Sequence, residues 1–266
     1  MNDSTIRRIT RHADGGTENI DTCLIMEEPF SIRVDGKPYS VVMRTPGDER
    51  AHMAGFFLAE GLIDRIEEIE TLGFCTEDGV NVGTLTLMEA RRQKVLELLE
   101  RKGFISQTSC GICGKEVVRD LMQIVTPLPQ TLRITVDQAM ACMDALPRQQ
   151  DLHKRTHSAH AAMIFSADLT PLSFAEDVGR HNALDKAIGK VFLENRLSEA
   201  VIGVMSSRLS YELVQKAARA GIEMLIGISR PTALGVDLAD SVNMTIACAR
   251  KESLLVFCGG HRLIVG

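Results

Sequence analysis

Apolar and polar residues alternate along residues 29–45, PFSIRVDGKPYSVVMRT, on both sides of the dipeptide Asp35-Gly36. This pattern predicts a β-hairpin, because a period of two buries one face of each strand and Asp-Gly favours a tight turn. Thr45-Pro46-Gly47-Asp48 follows, with proline where the first turn of a helix accepts it, and predicts a helix through HMAGFFLAEG. Gly61 is the expected end of that helix.

The middle of the chain changes between the strand period and the helix period. Residues 80–88 are apolar at alternate positions and predict a strand, whereas 89–102 place Val95, Leu98 and Leu99 on one helical stripe. Further predicted elements are helices at 116–125 and 136–146, a solvated helical face at 64–70 and a polar connector, RQQDLHKR, at 148–155.

Beyond residue 155, short continuous apolar runs are separated by amphipathic helical patterns. Strands that are buried on both faces have such continuous sequences, so the pattern favours a sheet covered by helices on both sides. We therefore predict an α/β fold with a disordered terminus (1–20), a smaller β-rich portion (21–130) and an α/β core (131–266). The predicted strands are 161–165, 200–205, 224–228, 244–247 and 254–257, and the predicted helices are 180–195, 211–220 and 233–239.

Composition and charge exclude several classes of protein. The chain has 266 residues, 45% hydrophobic and 24% charged, with a formal net charge of −5. These values are typical of a globular protein and lack the basic footprint of a nucleic-acid binder. No apolar run reaches the roughly 18 residues that span a bilayer, and the polar start MNDSTIRRITRHADGG lacks the apolar core of a signal peptide. We expect a cytoplasmic protein that binds neither nucleic acid nor membrane.

The chain contains seven cysteines, and in a reducing compartment an odd number of them indicates free thiols. Four stand alone in largely apolar surroundings and are expected to be small buried residues: Cys23, Cys75, Cys142 and Cys248.

The stretch TSCGICGK places Cys110 and Cys113 two residues apart, just before a predicted helix. Gly111 and Gly114 allow a bulky partner to approach the backbone, and a helix N-terminus lowers the pKa of a nearby thiol. This local chemistry favours a reactive pair over two inert thiols, but peroxide reduction, disulfide exchange and sulfur carriage all stay open.

A metal role for the two thiols has a weaker basis. A structural zinc site needs four ligands, and the best second half would be His153, His157 and His160 in HKRTHSAH. Those spacings fit one helical face, but the run leads into a predicted strand, where the rings would separate. A zinc deaminase would need the motifs H-x-E and P-C-x-x-C, which the chain lacks. A thioredoxin-like dithiol would follow the first strand of a βαβ unit, which this pair does not.

A set of motifs, taken in order along the chain, resembles the FdhD family, the formate dehydrogenase accessory sulfurtransferases, over nearly the full length. Any one of the motifs would be weak, whereas the ordered set is specific. The matching stretches are EEPFSIRVDGKPY, MRTPGDERAHMAGFFLAEGLI, TSCGICGK, His160-Ala161-Ala162, EDVGRHNALDKAIG, SSRLSYELVQKAARAGI, SRPTALGVDLA and FCGGHRLIV.

The resemblance implies a cytidine-deaminase-like three-layer α/β/α fold that has lost the deaminase zinc chemistry. It implies a sulfurtransferase that accepts persulfide sulfur from a cysteine desulfurase. The sulfur would then pass to the molybdenum or tungsten of a bis(molybdopterin guanine dinucleotide) cofactor, held as a substrate, before its insertion into the catalytic subunit of formate dehydrogenase. Cys110 is implied to carry the persulfide. Cys113 either helps by resolving the persulfide or is dispensable, and a homodimer is implied.

The resemblance also implies which residues hold this polyanionic cofactor, for which GDP would be a partial mimic. Helix N-termini and cationic side chains suit its phosphates, and Asp185 is a candidate partner for guanine or for Arg180. The residues so implied are Arg180, His181, Asn182, Ser207, Arg208, Phe257, Cys258, Gly259, Gly260, His261 and Arg262.

Two other functions stay open for this sequence. One is a non-catalytic module that shields the cofactor, and the other is a zinc-structured interaction protein built on Cys110, Cys113 and the histidines. The chain departs from the family pattern at four places, which bear on how its pocket is built: His157-Ser158, Ser207, Arg230 and Gly259.

Overall fold

The computed structural model describes residues 3–77, 79–102 and 125–264. Cys110 and Cys113 lie outside the described residues, as does the predicted helix over 116–125 apart from its last residue. No helix in the described ranges is long and apolar enough to cross a membrane.

The N-terminus forms a two-stranded antiparallel ribbon in which β1 (Ser4–Ala13) pairs with β2 (Gly16–Ile25) along its whole length. The sequence predicts disorder over 1–20, because polar and charged residues dominate there. The structure differs because backbone pairing, which needs no apolar period, orders both strands. Arg155 also holds the base of the ribbon by hydrogen bonds to Asp3 and to Ser4.

A four-stranded sheet follows, in the order β4-β3-β6-β5. It confirms the predicted hairpin and the strand at 80–88, and Gly61, with φ 75°, follows the end of the predicted helix. The elements are β3 (Glu28–Val34), β4 (Lys37–Arg44), α1 (Glu49–Ala59), β5 (Ile69–Glu77), β6 (Val80–Leu87) and α2 (Glu89–Lys102).

The solvated helical face predicted at 64–70 is wrong. A short 3-10 turn (Ile66–Glu68) leads directly into β5. The reason is that Ile66, Ile69 and Leu72 pack against the hydrophobic core, and this burial outweighs the acidic residues between them.

The C-terminal half contains a six-stranded sheet in the order β13-β12-β11-β10-β8-β9. Strands β10, β11 and β12 are parallel to one another, and β8, β9 and β13 run antiparallel to their neighbours. The strands are β7 (Ile134–Thr135), β8 (His160–Phe165), β9 (Pro171–Asp177), β10 (Ile202–Arg208), β11 (Met224–Ser229), β12 (Thr245–Arg250), β13 (Ser253–Cys258) and β14 (Leu263–Ile264).

Helices cover both faces of this sheet, which confirms the predicted α/β class. Ile202 and Val204 of β10 pack with Leu146 on one face, whereas Met205 packs with Leu213 on the other, as the two-residue period of a strand requires. The helices are α3 (Val136–Gln149), α4 (Asp151–Thr156), α5 (Arg180–Leu193), α6 (Tyr211–Arg219) and α7 (Ala233–Ser241). Helix α4 occupies most of the segment predicted as a connector.

The N-terminal portion joins the six-stranded sheet through the packing of α1 on α5. A Cβ atom built on Gly55 would lie 1.9 Å from the carbonyl oxygen of Asp185, and one on Gly189 would lie 1.8 Å from that of Ala51. Only glycine permits this approach of two backbones, so the two helices are in direct backbone contact.

Candidate functional site

The six-stranded sheet has two edges that matter for function. The carboxyl edge is where β10, β11 and β12 end, and the amino edge is where they begin. Arg208 ends β10, whereas Cys258 pairs with Ile246 near the start of β12. The edges are about 17 Å apart, because β12 rises about 3.3 Å at each of its five steps. The predicted cofactor-binding residues are therefore divided between opposite edges of the sheet.

At the amino edge, Arg262 is fully buried and was predicted to bind the cofactor. Its Nε donates a hydrogen bond of 2.9 Å to Glu223, and its Nη2 donates one of 2.5 Å to the carbonyl of Pro129. Its Nη1 reaches Thr245 Oγ1 at 3.2 Å. The prediction is wrong for this side chain, because each nitrogen of this fully buried guanidinium donates a hydrogen bond inside the protein and the group is not free to hold an anion.

The partner of Arg262, Glu223, fixes the chain that returns from the cysteine stretch. Its carboxylate accepts hydrogen bonds from the backbone N–H and hydroxyl of Thr131 and from the N–H of Leu132. Burial alone would raise the pKa of Glu223, but the bonds from Thr131 and Arg262 outweigh it and hold that pKa below its ordinary value.

The rest of the segment 257–262 is partly open. Gly259 has φ 67°, and its carbonyl accepts a hydrogen bond of 2.6 Å from Thr245 Oγ1. The Cys258 thiol donates to Met244 O, and burial raises its pKa, so Cys258 is not a thiolate. Phe257 and His261 are exposed.

At the carboxyl edge, His181 and Glu212 form a pair. His181 Nε2 lies 2.8 Å from the Glu212 carboxylate and 3.4 Å from Ser210 Oγ. The hydrogen bond from His181 lowers the pKa of Glu212. Since both contacts use the same ring nitrogen, the three residues do not form a relay in which histidine connects an acid to a nucleophile.

His160 and Arg180 lie beside this pair. Burial, followed by the positive charge of Arg180, lowers the pKa of His160, so its ring is neutral near pH 7. Arg180 opens α5, and its Nε is buried without a hydrogen-bond partner among the described residues. Arg180 thus keeps donor capacity for an anion.

Asn182, also predicted to hold the cofactor, is engaged inside the protein. Its amide donates to Met43 O and to the carboxylate of Asp177. Asp177 also forms a buried ion pair of 2.7 Å with Lys186. Asp185 pairs with Lys216 at 2.8 Å, so it neither binds guanine nor contacts Arg180.

The two remaining predicted residues differ from each other. Ser207 is buried, and the carbonyl of Arg208, at 3.3 Å, is the only hydrogen-bond partner of its hydroxyl among the described residues. Arg208 is exposed and makes no ion pair with a described residue. Of this pair, only Arg208 presents its side chain outward.

The isolated histidines and cysteines also have definite surroundings. His153 Nδ1 lies 2.9 Å from the carbonyl of Ala159, and its ring centroid is 6.1 Å from that of His157. No three potential ligands within the described ranges form a metal-binding group. The prediction that Cys75 is buried is wrong, because it lies exposed on β5, and Cys23 is half-buried.

Sequence reasoning missed Glu223, Glu212 and Lys216. Glu223 stands directly before the apolar run of β11, where an acidic residue next to a buried strand signals an engaged carboxylate. The partner residues that engage it lie 39 and 92 positions away, and nothing local in the sequence identifies them.

The fold and both edges define a three-layer α/β protein with charged groups at both ends of its parallel strands. The model of the FdhD/NarQ family matches residues 25–264. The chain therefore belongs to the FdhD/NarQ family.

Individual relatives match over almost the same length. A protein of Nocardia farcinica named "Sulfur carrier protein FdhD" is 35% identical, over 97% of this chain and 94% of its own. One of the same name from Mycobacterium tuberculosis is 35% identical, over 99% of this chain and its whole length. A crystal structure of a proposed formate dehydrogenase accessory protein from Desulfotalea psychrophila superposes with a TM-score of 0.78 at 22% identity, over 98% of this chain and 99% of its own. That likeness supports the fold.

Proposed function

We propose that this protein is a sulfur carrier that serves formate dehydrogenase. The observation that carries the proposal is the pair Cys110 and Cys113 in a chain that matches named sulfur carriers at 35% identity along nearly its whole length. Two of the described cysteines, Cys142 and Cys248, suit the role less well, since both are buried and burial raises the pKa of each.

Sulfur would enter by attack of the Cys110 thiolate on the outer sulfur of a cysteine desulfurase persulfide. The new S–S bond forms on Cys110, and the desulfurase cysteine leaves as a thiolate. The outer sulfur on Cys110 is at the oxidation level of elemental sulfur. It therefore needs two electrons before a metal can receive it as sulfide.

Cys113 can supply those electrons. Its thiolate attacks the inner sulfur on Cys110, a disulfide forms between the two cysteines, and hydrosulfide leaves towards the acceptor. We propose the metal of a molybdenum or tungsten bis(molybdopterin guanine dinucleotide) as that acceptor. A cellular thiol would then reduce the disulfide and reset the pair.

We place the phosphates of this substrate at the carboxyl edge. Arg180 Nε is buried there without a hydrogen-bond partner among the described residues, and Arg208 is exposed. At the amino edge, by contrast, the guanidinium of Arg262 is engaged inside the protein. Calorimetry with GDP provides a binding test for this position, with Arg180→Ala as the variant that should weaken binding.

The sulfur step is tested by incubation with a cysteine desulfurase and cysteine, followed by intact-mass analysis. We expect wild type and Cys113→Ala to gain the mass of sulfur and Cys110→Ala to gain none. Loaded Cys113→Ala should then activate sulfur-deficient formate dehydrogenase only when a thiol reductant is added. Loading of Cys110→Ala at the wild-type level would exclude the proposed role of Cys110.

A further inference from the structure

Asp177 lies fully buried at the end of β9, directly before the turn that leads into α5. Its two carboxylate oxygens contact four other groups. Oδ1 accepts a hydrogen bond of 2.8 Å from Gly179 N–H and one of 2.9 Å from the Asn182 amide. Oδ2 accepts one of 3.1 Å from Thr45 N–H and forms an ion pair of 2.7 Å with Lys186 Nζ. One buried side chain thus connects the turn, the helix α5 and the segment that follows β4.

Three further hydrogen bonds join the end of β4 to the turn and to α5. Thr45 Oγ1 accepts one of 3.0 Å from Val178 N–H, and the Thr45 carbonyl accepts one of 2.7 Å from Lys186 Nζ. The Asn182 amide also donates one of 2.8 Å to the carbonyl of Met43. The N-terminal portion of the molecule therefore helps to hold the turn in place.

Gly179, in the middle of the turn, is packed closely against these side chains. A Cβ atom built at this position would lie 2.9 Å from Nδ2 of Asn182 and 3.5 Å from Oδ1 of Asp177. Its φ of −97° is open to any residue, so glycine is needed here for space rather than for backbone conformation. A methyl group at Gly179 would push the Asn182 amide away from Met43 and Asp177.

The position of the turn decides where the side chain of Arg180 lies, because Arg180 directly follows Gly179 and opens α5. The Nε of Arg180 is buried without a hydrogen-bond partner among the described residues, and its guanidinium forms no ion pair with any of them. The negative charge of Asp177 does not oppose an anion at Arg180, since the buried ion pair with Lys186 neutralises it. The turn thus directs a cation whose donor capacity is not used inside the described part of the protein.

We propose that Asp177 is a positioning residue that holds the turn at Gly179 and thereby directs the guanidinium of Arg180 towards the anionic substrate. The inference rests on the proposed function for the identity of that substrate. Each oxygen of Asp177 faces two donors, and an amide in its place can offer an oxygen to only one of these two pairs. Asp177→Asn therefore releases either the turn or the contacts with Thr45 and Lys186.

Calorimetry with GDP separates this role from a purely electrostatic one. Loss of the negative charge of Asp177 would by itself strengthen the binding of an anion, whereas a displaced Arg180 weakens it. We expect Asp177→Asn to raise the Kd for GDP about fivefold or more. In an Arg180→Ala background the same replacement should not weaken binding, because it acts through a side chain that is already absent.

The matched control is Asp185→Asn. Asp185 is also a buried carboxylate of α5, but it pairs with Lys216 at 2.8 Å rather than with the turn. Its replacement should change the Kd for GDP less than about twofold, since distant independent sites do not couple.

The ring of His160 reports the position of Arg180 without any ligand. His160 lies opposite Asp177 in the pairing of β8 with β9, and its pKa is lowered by burial and then by the charge of Arg180. Gly179→Ala displaces the Asn182 amide from Asp177 but changes no charge and keeps the ion pair. It should raise the pKa of His160, measured by NMR titration, and leave it unchanged in the Arg180→Ala background.

Four results would overturn the proposal. They are tighter GDP binding by Asp177→Asn, an equal loss of affinity in the wild-type and Arg180→Ala backgrounds, an equal loss in Asp185→Asn, and a His160 pKa that Gly179→Ala leaves unchanged. If wild type binds no GDP, the proposed cofactor site fails, whereas the titration of His160 still decides whether the turn holds Arg180. Thermal unfolding shows which variants are folded, and Gly179→Ala replaces Asp177→Asn in the calorimetry if that variant is not.

Discussion

The two edges of the six-stranded sheet use arginine in opposite ways. At the amino edge Arg262 is completely buried and bound to Glu223. At the carboxyl edge Arg208, Arg230 and Arg250 are exposed and unpaired within the described part of the chain. The first arrangement stabilises the attachment of the segment that returns from the cysteine stretch, and the second leaves the charges exposed to solvent.

This contrast shows that residue type alone does not decide the role of a charged side chain. Arg262 and Arg208 both stand next to motifs that suggest anion binding. What separates them is whether an acid from a distant segment reaches the guanidinium, as Glu223 does for Arg262 across 39 residues. A buried charge that loses its partner is costly, whereas a solvated one is not.

The largest effect on the free energy of unfolding is expected from replacing Glu223 at the amino edge. Glu223→Ala leaves Arg262 buried without its partner, so the free energy of unfolding should fall by about 3–5 kcal/mol. Urea denaturation measures this, and Glu223→Gln, which keeps the shape and accepts hydrogen bonds, should lose less. A loss below about 1 kcal/mol for Glu223→Ala would mean that the ion pair of Glu223 with Arg262 does not stabilise the amino edge.

A change of pH is expected to have an intermediate effect on the free energy of unfolding. The pH range in which stability is lost differs between the two edges. His160 at the carboxyl edge has a lowered pKa because it is buried and close to Arg180. The unfolded chain therefore binds a proton before the folded one as pH falls below about 6.5, which destabilises the fold by at most about 1.4 kcal/mol per pH unit for one histidine. His52, a fully buried residue of α1, also has a lowered pKa and adds to this in the same window.

Glu223 has its pKa lowered instead, so its contribution is complete above the unfolded value near 4.5 and is lost only at lower pH. Denaturation curves across pH should show His160→Gln reducing the slope between about pH 5 and 6.5 and Glu223→Gln reducing it only in the more acidic range. A slope in the upper window that is unchanged by His160→Gln would contradict the assigned role of His160.

The smallest effect on stability is expected from the exposed arginines. Arg208→Ala and Arg230→Ala should each change the free energy of unfolding by less than about 0.5 kcal/mol, because both side chains are exposed and neither forms an ion pair with a described residue. Thermal and urea unfolding provide the measurement. A loss as large as that of Glu223→Ala would show that the carboxyl edge is structural after all.

Much of the fold could be predicted from the sequence, because the strands of the six-stranded sheet are continuous apolar runs between helices. The ribbon of β1 and β2 could not, since its order comes from backbone pairing rather than an apolar period. The acidic residues of 64–70 led to the prediction of a solvated helix there, although Ile66 and Ile69 pack against the hydrophobic core. Strand β9 was also missed, because only Ala175 and Asp177 of its seven residues are buried.

The candidate site was predictable only in part. Motifs identify Arg180, His181, Arg208 and the segment 257–262 as candidates, but they do not say at which edge each one lies. That depends on strand direction and register, which long-range pairing decides. The burial of Arg262 depends on Glu223 and Pro129 for the same reason.

The most direct test of the central claim is to locate the transferred sulfur. After incubation with a cysteine desulfurase and cysteine, the protein is alkylated under conditions that preserve persulfides and digested, and the cysteine-containing peptides are compared by mass. The account predicts the extra sulfur on Cys110, with none on the exposed Cys75 or the half-buried Cys23 and Cys258. Sulfur on one of those three cysteines, or none on any peptide, would contradict it.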